Sequence, residues 1–465
     1  MPNSQKETET RLQFAAALVD EQWLENVVIG ISADGWITTI ESADDATEVD
    51  HVYEQVALPG MPNVHSHAFQ RAFAGLSEYR TADQDSFWTW RSLMYDFLLK
   101  LTPDDMYVIA RQLYLEMLLA GYTWVGEFHY VHNDRDGSRY TNLAELSDAI
   151  VRAASDTGIG LCMLPVLYQR GGFDGSQLSG GQKRFELSNE EFLTLFEHLS
   201  QISNTNEENF SLGIALHSLR AVSVEAAKSV IESVNHGGPI HIHVAEQTQE
   251  IDDCQQAHGQ RSVAFLLDNF DVNEQWCLIH ATHLDDDELK RIASSNAVVG
   301  LCPTTEANLG DGIFRAQEFL AAGGRPSIGS DSHCSIDFKD ELRMLEYGQR
   351  LQHRQRAILG TNTASVGRNL YKKAAINGGQ AIGVKTGLLK VGYRADMVLV
   401  DQNHPAIAGA SGDRLLDRLL FCNADDPIVA TIVGGKEISM DDPEVQELVW
   451  QSQQEFNELN QRLLS

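Results

Sequence analysis

His65-Ser66-His67 places two histidines one residue apart at the end of an apolar run that begins at Val56. Along an extended strand, side chains at i and i+2 share a face, so both imidazoles can reach one ion. Alone, a His-x-His says little. Here it follows Leu58-Pro59-Gly60-Met61-Pro62-Asn63-Val64, and three later strand-like runs also end on metal-type residues: Ile240-His241-Ile242-His243, Cys277-Leu278-Ile279-His280 and Ile328-Gly329-Ser330-Asp331. Imidazoles and a carboxylate gathered in this way suit zinc or another borderline divalent ion, with a further position open to water. Such an ion lowers the pKa of a water it holds to about 7. Asp331 offers one oxygen to the ion and a second to accept a proton. His129, His132, His241 and His333 read as structural or supporting residues, because a single histidine is more often a satisfied polar group than a ligand.

To meet, these groups need a scaffold whose strands all end on one side. From Leu58 to about Gly383 apolar strand-like runs alternate with longer amphipathic stretches, the mark of βα units around a parallel sheet. Eight strand candidates stand out: Leu58 to Val64, Thr123 to Phe128, Gly160 to Leu167, Ser211 to Leu216, Pro239 to Val244, Trp276 to Ile279, Ala297 to Leu301 and Pro326 to Gly329. Eight such units close a (β/α)8 TIM barrel, and His65, His67, His243, His280 and Asp331 all fall at its C-terminal strand ends, where active sites form. Short β-type runs at Phe14 to Val19, Val27 to Ile31 and Trp36 to Ile40 precede the barrel, and the buried run within Gly387 to Asp401 and Ala430 to Val433 follow it. The expected organisation is a small β-sandwich built from residues 1–57 and 386–465 around a metal-dependent barrel of residues 58–385. Pro443 to Leu464 carries apolar residues at helical spacing and is expected to pack on the body as a terminal helix.

Length and composition fit an ordinary soluble globular protein, long enough for a large α/β barrel plus a smaller module. The 465 residues are 43% hydrophobic, and no segment approaches the roughly 20 apolar residues of a membrane helix. The N-terminus lacks the basic flank and apolar length of a signal peptide, so a cytoplasmic location is expected. Six scattered cysteines without a Cys-x-x-Cys pair suggest neither a disulfide framework nor a thiolate metal site. With 66 acidic against 35 basic residues the net charge is -31, which argues against nucleic acid or anionic membrane as partners without identifying a substrate. The acidic run Asp285-Asp286-Asp287-Glu288 reads as a solvated helix start.

The His-x-His after Pro-Gly-Met, the His243-x-x-Glu246 pair, His280, Pro303-Thr304-Thr305 with Asn308-Leu309-Gly310, and Gly329-Ser330-Asp331 together resemble the amidohydrolase superfamily, in its mononuclear deaminase branch. The segment Gly387 to Asp401 is similar to that superfamily's return into its β-sandwich, so the resemblance spans nearly the whole chain. Binuclear members carry a bridging carboxylated lysine at the end of strand four. Here that strand ends Leu216-His217-Ser218-Leu219-Arg220, so the resemblance implies one divalent ion per chain, with zinc expected.

Longer blocks narrow the resemblance. Met61 to Ala72, Gly126 to His132, Leu216 to Arg220, His243 to Gln247 and Ser330 to His333 leading into Glu341 to Tyr347 are similar to the branch members that hydrolyse N-formimino-L-glutamate to N-formyl-L-glutamate and ammonia in histidine degradation. By this resemblance His65, His67, His243 and Asp331 are the metal ligands, and Glu246, His280 and Asp331 the acid/base and water-holding groups. Gln70, Arg91, Tyr130, His217 and Arg220 are the substrate contacts, and a homodimer is expected. The substrate's chemistry agrees, since a dicarboxylate in a chain this acidic needs local arginines, whose planar fork binds carboxylates. Read without the family, Arg91 in Phe87-Trp88-Thr89-Trp90-Arg91 is a surface ion-pair residue and Trp88 and Trp90 are loop anchors; Glu246 taken alone is an ordinary helix-start carboxylate, but three residues after His243 it reads as an acid/base group. The alternative within the branch is deamination of a purine, pyrimidine or triazine ring, against which the two arginines speak.

Overall fold

The computed structural model describes residues 9–464 except 45, 80–86, 206–207, 236 and 423–424. Strands β1 (Thr10–Val19), β2 (Gln22–Ile31) and β3 (Ile37–Ser42) form an antiparallel meander, and β4 (His51–Pro59) returns parallel to β1. Apolar residues on alternate positions bury one face of this meander: Leu12 and Phe14 on β1, Val27, Ile29 and Ile31 on β2.

The chain then enters a second sheet. Its strands are β5 (Met61–Ser66), β6 (Tyr122–His129), β7 (Gly160–Leu167), β8 (Phe210–Leu212), β9 (Ile214–Ser218), β10 (Ile240–Val244), β11 (Trp276–His280), β12 (Val298–Leu301) and β13 (Arg325–Ile328). They pair in parallel in the order β13-β12-β11-β10-β9-β7-β6-β5, with β8 as a side branch on β7. Strands β5, β6, β7, β10, β11 and β12 are buried along their whole length, as parallel strands covered by helices must be. The ring nears closure where Ser66 bridges Asp331 and the Asp331 amide donates to the His65 carbonyl at 3.0 Å. This is the expected (β/α)8 barrel of eight parallel strands.

Past the barrel, β14 (Met397–Val400), β15 (Ile428–Val433) and β16 (Lys436–Ser439) complete the first sheet, whose order is β16-β15-β14-β4-β1-β2-β3. The small module is therefore drawn from both chain ends, as the sequence implies. Its inner core joins Phe14 and Ile29 to Met397, Leu399 and Ile432. On the other face Val56, Leu58, Val398 and Val400 belong to the barrel's apolar cluster.

Two strand readings need correction. Ser211 to Leu216 is not one strand: it breaks at Gly213, where a Cβ would lie 2.6 Å from the Pro239 carbonyl oxygen. The run from Leu58 likewise belongs to two sheets, β4 ending at Pro59 and β5 starting at Met61. Between them the Gly60 amide donates to the Asp396 carbonyl at 2.8 Å, and a Cβ on Gly60 would come within 2.5 Å of Thr123 Oγ1. The tryptophan region is also not a loop. Phe87–Leu98 is a helix, with Trp90 packed on Phe73 at 5.7 Å between ring centroids, while the Trp88 side chain lies outside the described residues.

Asp285 caps the helix Asp286–Ser295, accepting from the amides of Asp287 and Glu288, but the run is not wholly solvated: Glu288 is buried and pairs with Arg261 at 3.0 Å. The terminal helix Pro443–Leu464 buries Val449, Phe456, Leu459 and Leu463 and pairs Glu455 with Arg111 at 2.8 Å. Among the described residues no helix is long and apolar enough to cross a membrane.

Candidate active site

Strand direction brings the chemical groups together. His65 lies near the end of β5, His243 within β10, His280 at the end of β11, and Asp331 three residues beyond β13. The backbone bends sharply at these ends: Ala245, His280, Ala281, Asp331 and His333 all have positive φ. Side chains rarely tolerate that region, so such strain persists only where surrounding contacts over-determine it. At Asp331 the contacts are its amide donating to the His65 carbonyl and its carbonyl accepting from the His67 amide at 3.3 Å.

Three imidazoles and one carboxylate converge. His65 Nε2 lies 3.0 Å from His243 Nε2 and 3.6 Å from Asp331 Oδ1, and His67 Nε2 lies 3.5 Å from the same oxygen. A tetrahedral ion with bonds of about 2.0–2.1 Å spaces its donors roughly 3.3 Å apart, so these separations fit a metal. The protonation pattern fits too. His67 Nδ1 donates to the Phe128 carbonyl at 2.9 Å and His243 Nδ1 to the His217 carbonyl at 2.9 Å, which leaves both Nε2 lone pairs facing inward. Burial holds the three rings neutral: the His67 pKa is pushed down to about 3, and those of His65 and His243 well below the usual range. Two inward lone pairs beside the Asp331 carboxylate are what a cation takes up. The family-implied metal therefore fits the residues present.

His280 has a different environment. Its Nε2 is 3.7 Å from Asp331 Oδ2 and 3.9 Å from Glu246 Oε1, and its Nδ1 is 3.3 Å from Glu306 Oε1. Burial opposes its charge, but Glu246, the Glu306 hydrogen bond and Asp331 together raise its pKa to about 10. Burial also raises Asp331 to about 7, against the pull of His280, and raises Glu246.

The expected substrate contacts line one cleft above this cluster: Gln70, Arg91, Tyr130, His217 and Arg220, beside Glu246, His280 and Asp331. Gln70 Nε2 donates to the Tyr130 hydroxyl at 2.9 Å, and its Oε1 is buried without a hydrogen-bond partner among the described residues. Arg91 lines the cleft. Its Nε donates to the Tyr95 hydroxyl one helical turn away, and its guanidinium lies 5.2 Å from that ring's centroid. Burial depresses the His217 pKa and Arg220 and Arg91 depress it further, so both cations face the same space.

Sequence reasoning missed several neighbours. Glu306 follows Pro303-Thr304-Thr305 directly, and a carboxylate beside a matched block was the available signal. Tyr95, Tyr168 and Phe185 also line the cleft, but nothing in their spacing marks them. His241 is structural, its Nε2 paired with the Ala381 carbonyl at 2.7 Å. His132 is likewise paired with the Val166 carbonyl at 3.0 Å.

Comparison with known proteins places this geometry in context. Residues 56–438 match the Amidohydrolase family. A formimidoylglutamate deiminase from Pseudomonas aeruginosa is 49% identical over 426 residues, covering 91% of this chain and 93% of its own. A 5-methylthioadenosine/S-adenosylhomocysteine deaminase from Pyrococcus furiosus is 23% identical over 390 residues, 83% of this chain and 84% of its own. Among solved structures, an amidohydrolase from Brucella melitensis superposes with a TM-score of 0.92 at 43% identity, covering 98% of this chain and all of its own. A zinc-bound adenosine deaminase from Xanthomonas campestris, 19% identical with a TM-score of 0.79 and 98% coverage of both chains, shares the fold.

Proposed function

The chain belongs to the amidohydrolase family, a family of metal-dependent enzymes, and from that premise we propose that it hydrolyses the C=N bond of N-formimino-L-glutamate, giving N-formyl-L-glutamate and ammonia. The observation that carries the reading is one cleft that joins the converging ligands to two arginines, Arg91 and Arg220. A substrate with two carboxylates and a hydrolysable C=N bond matches both ends of it. The 49% identity to the Pseudomonas aeruginosa deiminase supports the same substrate.

His65, His67, His243 and Asp331 would hold the ion, and three imidazoles with one carboxylate favour zinc. No lysine lines the cleft among the described residues, which supports a single ion. When bound, the ion would supply Lewis acidity, bringing the pKa of a nearby water to about 7. Asp331 accepts the proton of the attacking water through Oδ2. His280, between Asp331 and Glu246, orients that water and stabilises negative charge developing on the tetrahedral adduct at the formimino carbon. Glu246 delivers a proton to the departing nitrogen, which leaves as neutral ammonia. Arg91 and Arg220 grip the carboxylates, while Gln70, Tyr130 and His217 align the formimino end between them and the ligands.

The same reading takes residues 58–385 as the catalytic barrel and residues 1–57 with 386–465 as the supporting module. It also takes the enzyme as a cytoplasmic homodimer serving histidine degradation, a state that light scattering on the purified protein reads directly. A substrate panel tests the function: formiminoglutamate should be turned over far faster than its analogue lacking the side-chain carboxylate, and neutral purines, pyrimidines or triazines should be inert. Preference for a neutral ring would overturn the proposal in favour of ring deamination.

A further inference from the structure

Behind the ligands, among residues that do not line the cleft, a second set of buried polar groups joins the end of β5 to the turn after β13. Asn63 Nδ2 donates to Ser330 Oγ at 2.7 Å, and Ser330 Oγ lies 3.0 Å from His333 Nδ1. His333 Nε2 lies 3.3 Å from Ser66 Oγ, and Ser66 Oγ donates to Glu127 Oε2 at 2.6 Å. Glu127 also accepts from the Ala68 amide at 2.7 Å and from the Tyr114 hydroxyl at 3.3 Å. Asn63 Oδ1 closes the set, accepting from the amides of Ser330 at 3.1 Å and His65 at 3.3 Å.

With Glu127 ionised, proton counting gives each bond one direction. A carboxylate only accepts, so Ser66 gives its single proton to Glu127. The Ser66 oxygen must then accept from His333 Nε2–H. That leaves Nδ1 of a neutral ring as an acceptor, filled by the Ser330 hydroxyl, whose oxygen accepts in turn from Asn63. One arrangement satisfies all these groups, and it ends on Glu127. Without that carboxylate Ser66 has no fixed acceptor and His333 no fixed tautomer. The members also sit between or next to ligands: Ser66 between His65 and His67, Ala68 after His67, Ser330 before Asp331, and His333 two residues beyond it.

We propose that Glu127 and His333 are positioning residues for the metal centre, Glu127 clamping His65-Ser66-His67-Ala68 and His333 carrying that clamp across to Asp331. Neither touches the substrate cleft, and the inference rests on His65, His67, His243 and Asp331 being the ligands. The two ligand-bearing segments, neighbours where the first and last barrel strands meet, are thereby held by side chains as well as by backbone.

The test measures zinc release from the loaded protein to a chromogenic chelator, with thermal melting in parallel. Glu127→Ala and His333→Phe should each speed release about 10- to 100-fold, the scale for losing a supporting contact. Because both act through Ser66, the double variant should be no faster than about the faster single. Tyr371→Phe, which loses a buried 2.6 Å hydrogen bond to the Pro59 carbonyl elsewhere, should release zinc at the parent rate. Parental release from folded Glu127→Ala, a double variant whose effect multiplies the two singles, or acceleration by Tyr371→Phe equal to that by Glu127→Ala would each overturn the proposal. Should Glu127→Ala not fold, Glu127→Gln keeps an acceptor for Ala68 but turns a donor toward Ser66; it should release zinc faster than the parent, and parental release would overturn the proposal. A His65→Ala variant that still binds zinc as tightly as the parent would instead refute the ligand assignment.

Discussion

Replacing Arg91 or Arg220 with methionine removes a guanidinium from the cleft while keeping much of its apolar stem. Both residues are partly exposed, so water screens part of each interaction. A charge-assisted, bidentate contact to a carboxylate is worth roughly 1.5–3 kcal/mol, and 1.4 kcal/mol is tenfold, so each variant should lose about 10- to 100-fold in kcat/KM. Arg91 should sit toward the upper end, because the Tyr95 hydroxyl already holds its guanidinium and little freedom is lost on binding. Losing that brace alone, in Tyr95→Phe, should cost about 0.5–1.5 kcal/mol, or roughly 2- to 10-fold. The loss should fall mainly in KM if the carboxylate contact is equal in ground and transition states. Lysine at either position should restore little, since a point charge does not reproduce the fork. The assay is steady-state ammonia release from formiminoglutamate, with metal content measured on the same samples. If both methionine variants keep kcat/KM within twofold of the parent at unchanged metal content, the two-arginine account of recognition is wrong.

Other expectations are checked separately. Glu246→Gln should retain metal while kcat falls about 100-fold or more, and near-parental turnover would remove Glu246 from the mechanism. Purified, fully active protein should hold about one ion per chain, and two tightly bound ions both needed for activity would contradict the single-site reading. His132, buried with its pKa pushed down to about 4, stays neutral in the fold while the unfolded chain takes up a proton below about pH 6.5. Its contribution is thus fully present above pH 6.5 and is lost as pH falls toward 4, by at most about 3 kcal/mol. The urea midpoint should drop from pH 7 to pH 5 less steeply in His132→Gln than in the parent, and equal slopes would refute the assignment.

The barrel was legible because most of its parallel strands are buried on both faces and so read as largely apolar runs, with His65, His243, His280 and Asp331 marking the ends. What stayed hidden depends on contacts between distant segments. The break at Gly213 is forced by the Pro239 carbonyl, and the change of sheet at Gly60 by Thr123 and Asp396, none of which local spacing reveals. Resemblance marked Arg91 as a substrate contact, but its own neighbours read as surface, because only the folded helix Phe87–Leu98 turns it over the cleft with Tyr95. Glu127, inside an apolar strand, and Glu306, at a helix start, escaped for the same reason: neither carboxylate has a visible partner until Ser66 or His280 arrives from another strand.

The central claim is most directly tested by product analysis in water labelled with oxygen-18. Metal-replete protein given N-formimino-L-glutamate should yield one ammonia and one N-formyl-L-glutamate per substrate consumed, with a single labelled oxygen in the formyl group. Glutamate and formamide as products, or no turnover by protein shown to carry its metal, would contradict the account.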